Sequence, residues 1–267
     1  MRRTFSVIFA CLLCLLSAQC ISQSYIKEPR INVAVASNFL STAQTLVKEF
    51  ESRQKAPVNI KLISASTGQL SHQILNGAPF DLFLAANDQH PKILQSKLNL
   101  EKQSLTPYAF GKLVFVSRTP TGLQELNLNS QQAFSDYLNN SANASFAIAN
   151  EKLAPYGKAS MEVLKRLNLT KIFKTKAITG QNIIQTFQFF HSGNTQGAFV
   201  AKALLTPKVL DKNPNFSVLE IDNRLHSPIK QSALLVSKQP LAKSFLMFIL
   251  SHDAQSIIQQ HGYGQGL

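Results

Sequence analysis

Two stretches near the start of the chain share one grammar: a short apolar strand, a turn of small hydroxyl-bearing residues, then an amphipathic helix. The first is I-N-V-A-V-A-S-N-F-L from Ile31, and the second is V-N-I-K-L-I-S-A-S-T-G-Q-L from Val58. A strand that is apolar at nearly every position is buried on both faces, which is the habit of parallel strands covered by helices. The turn that follows lies at the carboxyl edge of the sheet. There the first N–H groups of a helix lack partners and the positive end of its dipole is exposed. Such a turn holds an oxyanion without Lys, Arg or a metal.

The alternation continues along the chain. Phe80 to Ala86 reads as a buried strand, followed by a helix with Ile93, Leu94 and Leu98 on one face. Lys112 to Ser117 is a strand, Gln131 to Leu138 a helix, and Phe146 to Ala149 a strand that runs through A-P-Y-G into a helix carrying Met161, Leu164 and Leu167. Phe173 to Ile178 and Gly197 to Leu204 are predicted strands on either side of a helix opened by Gln181-Asn182. No element is assigned from Pro207 to Pro228. Ser232 to Ser237 is then a strand, and Ala242 to Gln260 gives two helical segments. Strands and helices alternating at this length predict an α/β chain of mostly parallel sheets flanked by helices.

Residues 1–22 read as a secretory signal peptide: a basic Met1-Arg2-Arg3, an apolar run from Ser6 to Leu16, and small residues at Ser17, Ala18 and Ser22. The apolar run is too short to span a bilayer. Cys20 follows Gln19 rather than the small residue that precedes a lipid-anchored cysteine, so ordinary cleavage and a periplasmic protein are expected. All three cysteines, Cys11, Cys14 and Cys20, lie in or beside this leader. The exported chain therefore relies on core burial rather than disulfides, and its length suits one large domain or two lobes of about 100 to 150 residues. The net charge of +13 comes from scattered lysines with no basic tract, a pattern for solubility and anion steering and not for nucleic acid.

The histidines occur singly, without the paired spacing of a metal site, and neither a G-x-S-x-G elbow nor a phosphate-binding Walker loop is present. Asp81 and Glu151 read as turn or sheet-edge residues. The sequence therefore argues against an enzyme, a resident metal and a cofactor. What remains is four turns rich in neutral donors: Ser37-Asn38, Ser66-Thr67-Gly68, Pro155-Tyr156-Gly157 and Asn182-Ile183. Any one of them alone is an ordinary helix cap. Together they fall where ligands bind in open α/β sheets, outside the carboxyl ends of the strands.

Seven segments carry a further signal: V-A-V-A-S-N from Val33, S-T-G-Q-L-S-H-Q-I from Ser66, N-G-A-P-F-D-L-F-L-A-A from Asn76, Y-A-F-G-K-L-V from Tyr108, L-A-P-Y-G-K-A from Leu153, S-G-N-T-Q-G-A-F-V-A from Ser192 and H-G-Y-G from His261. In this order and spacing the chain resembles the periplasmic molybdate-binding proteins of ABC importers, class II solute-binding proteins, over essentially its whole exported length. The resemblance implies a two-lobed fold, with lobe one at residues 30–107 plus 228–267, lobe two at 108–227, and the two crossings acting as a hinge. It implies a monomer with no cofactor that holds molybdate or tungstate in the cleft and works with a membrane ABC permease and its ATPase.

Carried across, the family's ligand positions fall on Ser37 with the Asn38 N–H, on Thr67 with Ser66 as the competing assignment, on Tyr156, and on the backbone of Ile183. One branch of the family has a ligand tyrosine where this chain has Ala201, so Tyr156 is expected to supply the phenol. A site of neutral donors favours a fully deprotonated dianion, because a protonated oxygen would point a donor at a donor. Sulfate or another tetrahedral oxyanion shares that shape and stays open as a ligand, as does a secreted enzyme acting on a phosphorylated or sulfated substrate.

Overall fold

The computed structural model describes residues 28–118, 131–140 and 144–264; the leader expected at 1–22, with all three cysteines, lies outside the described residues. The first sheet contains β1 (Arg30–Ala36), β2 (Asn59–Ala65), β3 (Leu82–Ala85), β4 (Leu105–Gly111) and β10 (Ile229–Leu235), in the order β2-β1-β3-β10-β4. The second contains β5 (Leu113–Ser117), β6 (Phe146–Ala149), β7 (Ala177–Gly180), β8 (Gly197–Ala201) and β9 (Ser217–Glu220), in the order β7-β6-β8-β5-β9. Each is flanked by helices, so the molecule is an α/β protein of two lobes.

In the first lobe α1 (Leu40–Ser52), α2 (Thr67–Leu75) and α3 (Gln89–Lys97) each follow a parallel strand, and α9 (Pro240–Ile249) and α10 (His252–Gln260) close the lobe. The second sheet is flanked by α4 (Gln131–Asn140), α5 (Pro155–Arg166), α6 (Thr170–Lys174), α7 (Ile183–His191) and α8 (Pro207–Lys212). The central strand β1 pairs in parallel on both sides, with Val33 opposite Leu62 and Leu82. That position explains its unbroken apolar run, since Val33 to Ala36 are buried. Its core continues through Phe39, Leu46, Phe50, Leu84, Phe245 and Ile258. The second core is built on aromatic rings, with Phe115 edge-on to Phe134 and Phe199 at centroid separations of 5.1 Å.

Both sheets carry antiparallel strands as well as parallel ones: β10 runs against β3 and β4, and β5 against β8 and β9. Two of the strands not anticipated from sequence are edge strands. In β4 the run L-T-P-Y-A-F-G contains Pro107, and an edge is where a strand tolerates the lost donor. Its counterpart β9 has only four residues, among prolines that mask the pattern. Between them the short helix α8 starts at Pro207, where the Thr206 hydroxyl accepts from the Val209 N–H.

One strand begins later than the sequence suggests. Phe173 lies in α6, and β7 starts at Ala177. Asn168 takes a left-handed conformation (φ 56°) that ends α5 and lets a new helical turn form at once. The Phe173 ring still enters the core, 5.6 Å from Phe199, so its apolar character reports burial and not strand. Pro107, expected as the end of lobe one, lies within β4, and the chain moves from the first sheet to the second between Gly111 and Leu113. It returns between Glu220 and Ile229. Among the described residues no helix is long and apolar enough to cross a membrane.

Candidate anion-binding site

Four chain turns meet between the lobes. The carboxyl end of β1 enters a tight helical turn, Ser37–Phe39, that leads into α1; β2 runs into α2 through Ser66; β6 approaches α5 through Ala154; and β7 reaches α7 through Asn182. They enclose a small cavity of ≈ 10 Å³ lined by Ala36, Ser37, Asn38, Ser66, Thr67, Ala86, Ala154, Pro155, Tyr156 and Ile183. All six residues expected from the sequence are therefore brought together, although they come from both lobes and span nearly 150 positions of chain. Ala36, Ala86, Ala154 and Pro155 complete the wall. Pro155 belongs to a turn already marked by the sequence, whereas the three alanines carry no polar side chain that could single them out. Charged side chains are absent from the lining.

The hydrogen bonds divide the available donors from those already used. The Ser66 hydroxyl donates to Gln69 Oε1 at 2.8 Å, and the same oxygen accepts from the Ser66 N–H at 3.2 Å, so Ser66 is committed to capping α2. Thr67 differs. Its Oγ1 accepts from the Ala86 N–H at 3.0 Å, which fixes the oxygen and leaves the hydroxyl proton free to point elsewhere. Asn182 Oδ1 takes the N–H of Gln185, at 2.9 Å, and leaves the Ile183 N–H as an uncapped donor at the start of α7. In α5 the first position is Pro155, which has no N–H, so Tyr156 provides the first donor of that helix.

Close packing sets these helix starts against the strands. A Cβ on Gly157 would lie 2.2 Å from the Ala149 carbonyl oxygen, so only glycine lets the first turn of α5 sit down on β6. Across the cleft the Gly68 N–H donates to the Leu153 carbonyl at 2.9 Å, and at the returning crossing the Ser227 N–H donates to Glu162 Oε2 at 2.6 Å. The lobes thus touch around the cavity.

Asn38 is held from beneath. Its Nδ2 donates to Gln231 Oε1 at 3.0 Å and to the Tyr263 hydroxyl at 3.2 Å, while the Tyr263 hydroxyl donates to the Asn38 carbonyl at 2.7 Å. Tyr108 adds a donation to Gln231 Oε1 at 3.0 Å. Sequence reading missed this supporting set, because its members lie far apart in the chain and only the H-G-Y-G and Y-A-F-G segments hinted at them. The Tyr156 hydroxyl, expected to face an anion, is buried against Gly111 and the Gln231 amide, with the Asn38 side chain nearby but no hydrogen bond of sound geometry. Burial, and then the neighbouring Tyr263, push the Tyr156 phenol well above its ordinary value of 10.0, and burial does the same to Tyr108. All these phenols stay protonated and neutral at physiological pH. Ala201, at the end of β8, is buried and offers no side-chain donor.

Residues 31–264 match the family described as bacterial extracellular solute-binding protein. The molybdate-binding protein ModA of Azotobacter vinelandii is 33% identical over 239 residues, 88% of this chain and 89% of that protein. ModA of Rhodobacter capsulatus is 31% identical over 233 residues, 86% of each. Among solved structures, the Azotobacter vinelandii periplasmic molybdate-binding protein superposes with a TM-score of 0.77 at 28% identity, covering 89% of this chain and 100% of that one. The sulfate-binding protein SubI of Mycobacterium tuberculosis, 12% identical with a TM-score of 0.69, shares the fold. These relatives bind solutes and are not enzymes. The chain belongs to the bacterial extracellular solute-binding protein family, is related to its molybdate-binding members, and is a binding protein.

Proposed function

We propose that this protein captures molybdate, and tungstate as well, in the cavity between its lobes and delivers the anion to a membrane ABC permease driven by an ATPase. It acts outside the cytoplasm as a monomer, its leader removed. The observation that carries this reading is the ring of neutral donors contributed by both lobes around one small cavity. Ser37, Asn38 and Thr67 donate from lobe one, with Ser66 holding the helix start behind them. The backbone N–H groups of Tyr156 and Ile183 donate from lobe two. The hinge lies at the two chain crossings, around Lys112 and between Glu220 and Ile229.

The physics supports a small dianion. An anion removed from water recovers its solvation only from fixed donors, and each charge-assisted hydrogen bond contributes about 1.5–3 kcal/mol net. Helix dipoles at α2, α5 and α7 add to this from fixed positions. A fully deprotonated tetrahedral dianion uses every donor as an acceptor. Hydrogen phosphate brings a proton that opposes one of them. Pockets for organic ligands occupy about 300 Å³ or more, whereas the free volume here is only ≈ 10 Å³. That difference favours a bare oxyanion over the phosphorylated or sulfated substrate of an enzyme. Because no cationic side chain lines the cavity, closure of the second lobe supplies the remaining donors.

Thermal unfolding of the exported chain with molybdate, tungstate, sulfate and phosphate tests the reading. A ligand that binds only the folded state stabilises by RT ln(1 + [L]/Kd), about 2.7 kcal/mol at a hundredfold excess over Kd. Molybdate and tungstate should each raise the melting temperature clearly, and phosphate should not. A shift with sulfate or phosphate but none with molybdate contradicts the assignment.

A further inference from the structure

Two buried polar groups at the junction of the lobes have no hydrogen-bond partner: the Tyr156 hydroxyl and the Gln231 Nε2. They share one spot, since a Cβ on Gly111 would lie 2.3 Å from the Tyr156 oxygen and 3.1 Å from Gln231 Nε2. Gly111 ends β4 and Gln231 lies on β10, the two strands by which the chain leaves and re-enters the first sheet. Tyr156 comes from the other lobe, in the first turn of α5.

The orientation of the Gln231 amide is settled by its neighbours. Its Oε1 accepts from both Asn38 Nδ2 and the Tyr108 hydroxyl, each at 3.0 Å, so the opposite end is nitrogen and donates. The pairing register of β10 with β4 shifts beside it: Gln231 stays opposite Ala109, Ser232 lies opposite Pro107, and Tyr108 between them is the bulged residue whose hydroxyl reaches the Gln231 amide. A buried donor and a buried hydroxyl left side by side are uncommon in a folded protein. Each supplies what the other lacks.

Resting on the function proposed above, we propose that the Tyr156 hydroxyl is a closure latch: its oxygen accepts from Gln231 Nε2 as the lobes tighten on the anion, and it touches the hinge and not the ligand. Asn38 links the two events. Its backbone borders the cavity, and its side chain holds the very amide that the phenol meets. An anion that draws Asn38 and the first turn of α5 toward one another brings Gln231 and Tyr156 together at the same time. Tyr156 is then a positioning residue through its hydroxyl, and Gly111 is glycine because a side chain there would block the approach.

A double-mutant cycle on anion affinity tests the latch. Tyr156→Phe should raise the molybdate Kd about three- to tenfold, the range of one neutral hydrogen bond, mostly through faster dissociation. The melting temperature without anion should stay unchanged, because the hydroxyl has no partner to lose. With Gln231→Met in the background, the same Tyr156→Phe change should cost less than twofold. An equal loss in both backgrounds overturns the latch and gives the hydroxyl to the anion, and no loss in the parent protein overturns it as well.

Should Gln231→Met fail to fold, Gln231→Glu keeps the oxygen used by Asn38 and Tyr108 and replaces only the amide nitrogen. The cost of Tyr156→Phe must again differ from its value in the parent, and equality overturns the proposal. Failure of the function itself looks different: the unmodified protein then binds none of molybdate, tungstate, sulfate and phosphate, and the latch falls with it.

Discussion

At the scale of single residues, the site is decided by which hydroxyl protons are free. Ser66 and Thr67 are neighbours of the same chemical kind, yet the first spends its proton on Gln69 and the second only accepts, from Ala86. Thr67→Ala and Ser37→Ala should each weaken molybdate binding by about 1.5–3 kcal/mol, tenfold to a hundredfold, because a buried dianion loses a charge-assisted donor. Ser66→Ala should instead lower the melting temperature, as expected of a lost cap worth about 0.5–2 kcal/mol, and change affinity only a few-fold. Titration calorimetry and thermal unfolding on the three variants separate these outcomes. A large affinity loss confined to Ser66→Ala reverses the assignment. Sequence brought both residues to attention but left the choice between them open, because the deciding contacts come from Gln69, one helical turn on, and from Ala86 on another strand.

At the scale of elements, the anion site is a property of where helices begin. Asn182 caps α7 through Gln185 and leaves the Ile183 N–H unspent. Asn182→Asp keeps the capping oxygen and adds a negative charge beside the cavity. We expect a melting temperature close to that of the parent and a molybdate Kd raised about fivefold or more, since a like charge at a few ångströms in a partly buried site costs on the order of 1 kcal/mol or more. Unchanged affinity would remove α7 from the site. The elements that bear these turns were legible from sequence: β1, β2, β6 and α5 have strong apolar periodicity, and their turns carry Ser, Thr, Gly and Pro at telling places. The edge strands β4 and β9 were not, because Pro107 in one and the brevity of the other hide the pattern. Nor was the helical state of Phe173, since an apolar residue next to a strand looks the same whether it packs from a helix or a sheet.

At the scale of the whole molecule, the first lobe carries a buried polar seam of Asn38, Tyr108, Gln231 and Tyr263 beneath the cavity, and Tyr156 of the second lobe packs against it. Its phenols impose an alkaline limit on stability. Burial raises Tyr108, Tyr156 and Tyr263 above the unfolded value of 10.0. A raised value means that folding favours the neutral form, so the contribution is fully present below pH 10 and is lost as pH rises above it, where the unfolded chain sheds its protons first. Urea unfolding should therefore give a much lower stability at pH 11 than at pH 8, and Tyr263→Phe should reduce that pH dependence. The two-lobed plan was expected from the family resemblance that seven segments carry, whereas the seam was not, because its hydrogen-bonded partners are more than a hundred positions apart.

The central claim is that neutral donors from both lobes bind a fully deprotonated tetrahedral dianion. Titration calorimetry of the exported chain with molybdate at pH 7.5, repeated in the presence of excess sulfate and of excess phosphate, tests it most directly. The account predicts one molybdate bound per chain with submicromolar affinity, and tungstate should compete where phosphate does not. Absence of molybdate binding, or displacement of molybdate by phosphate at comparable concentration, would contradict it.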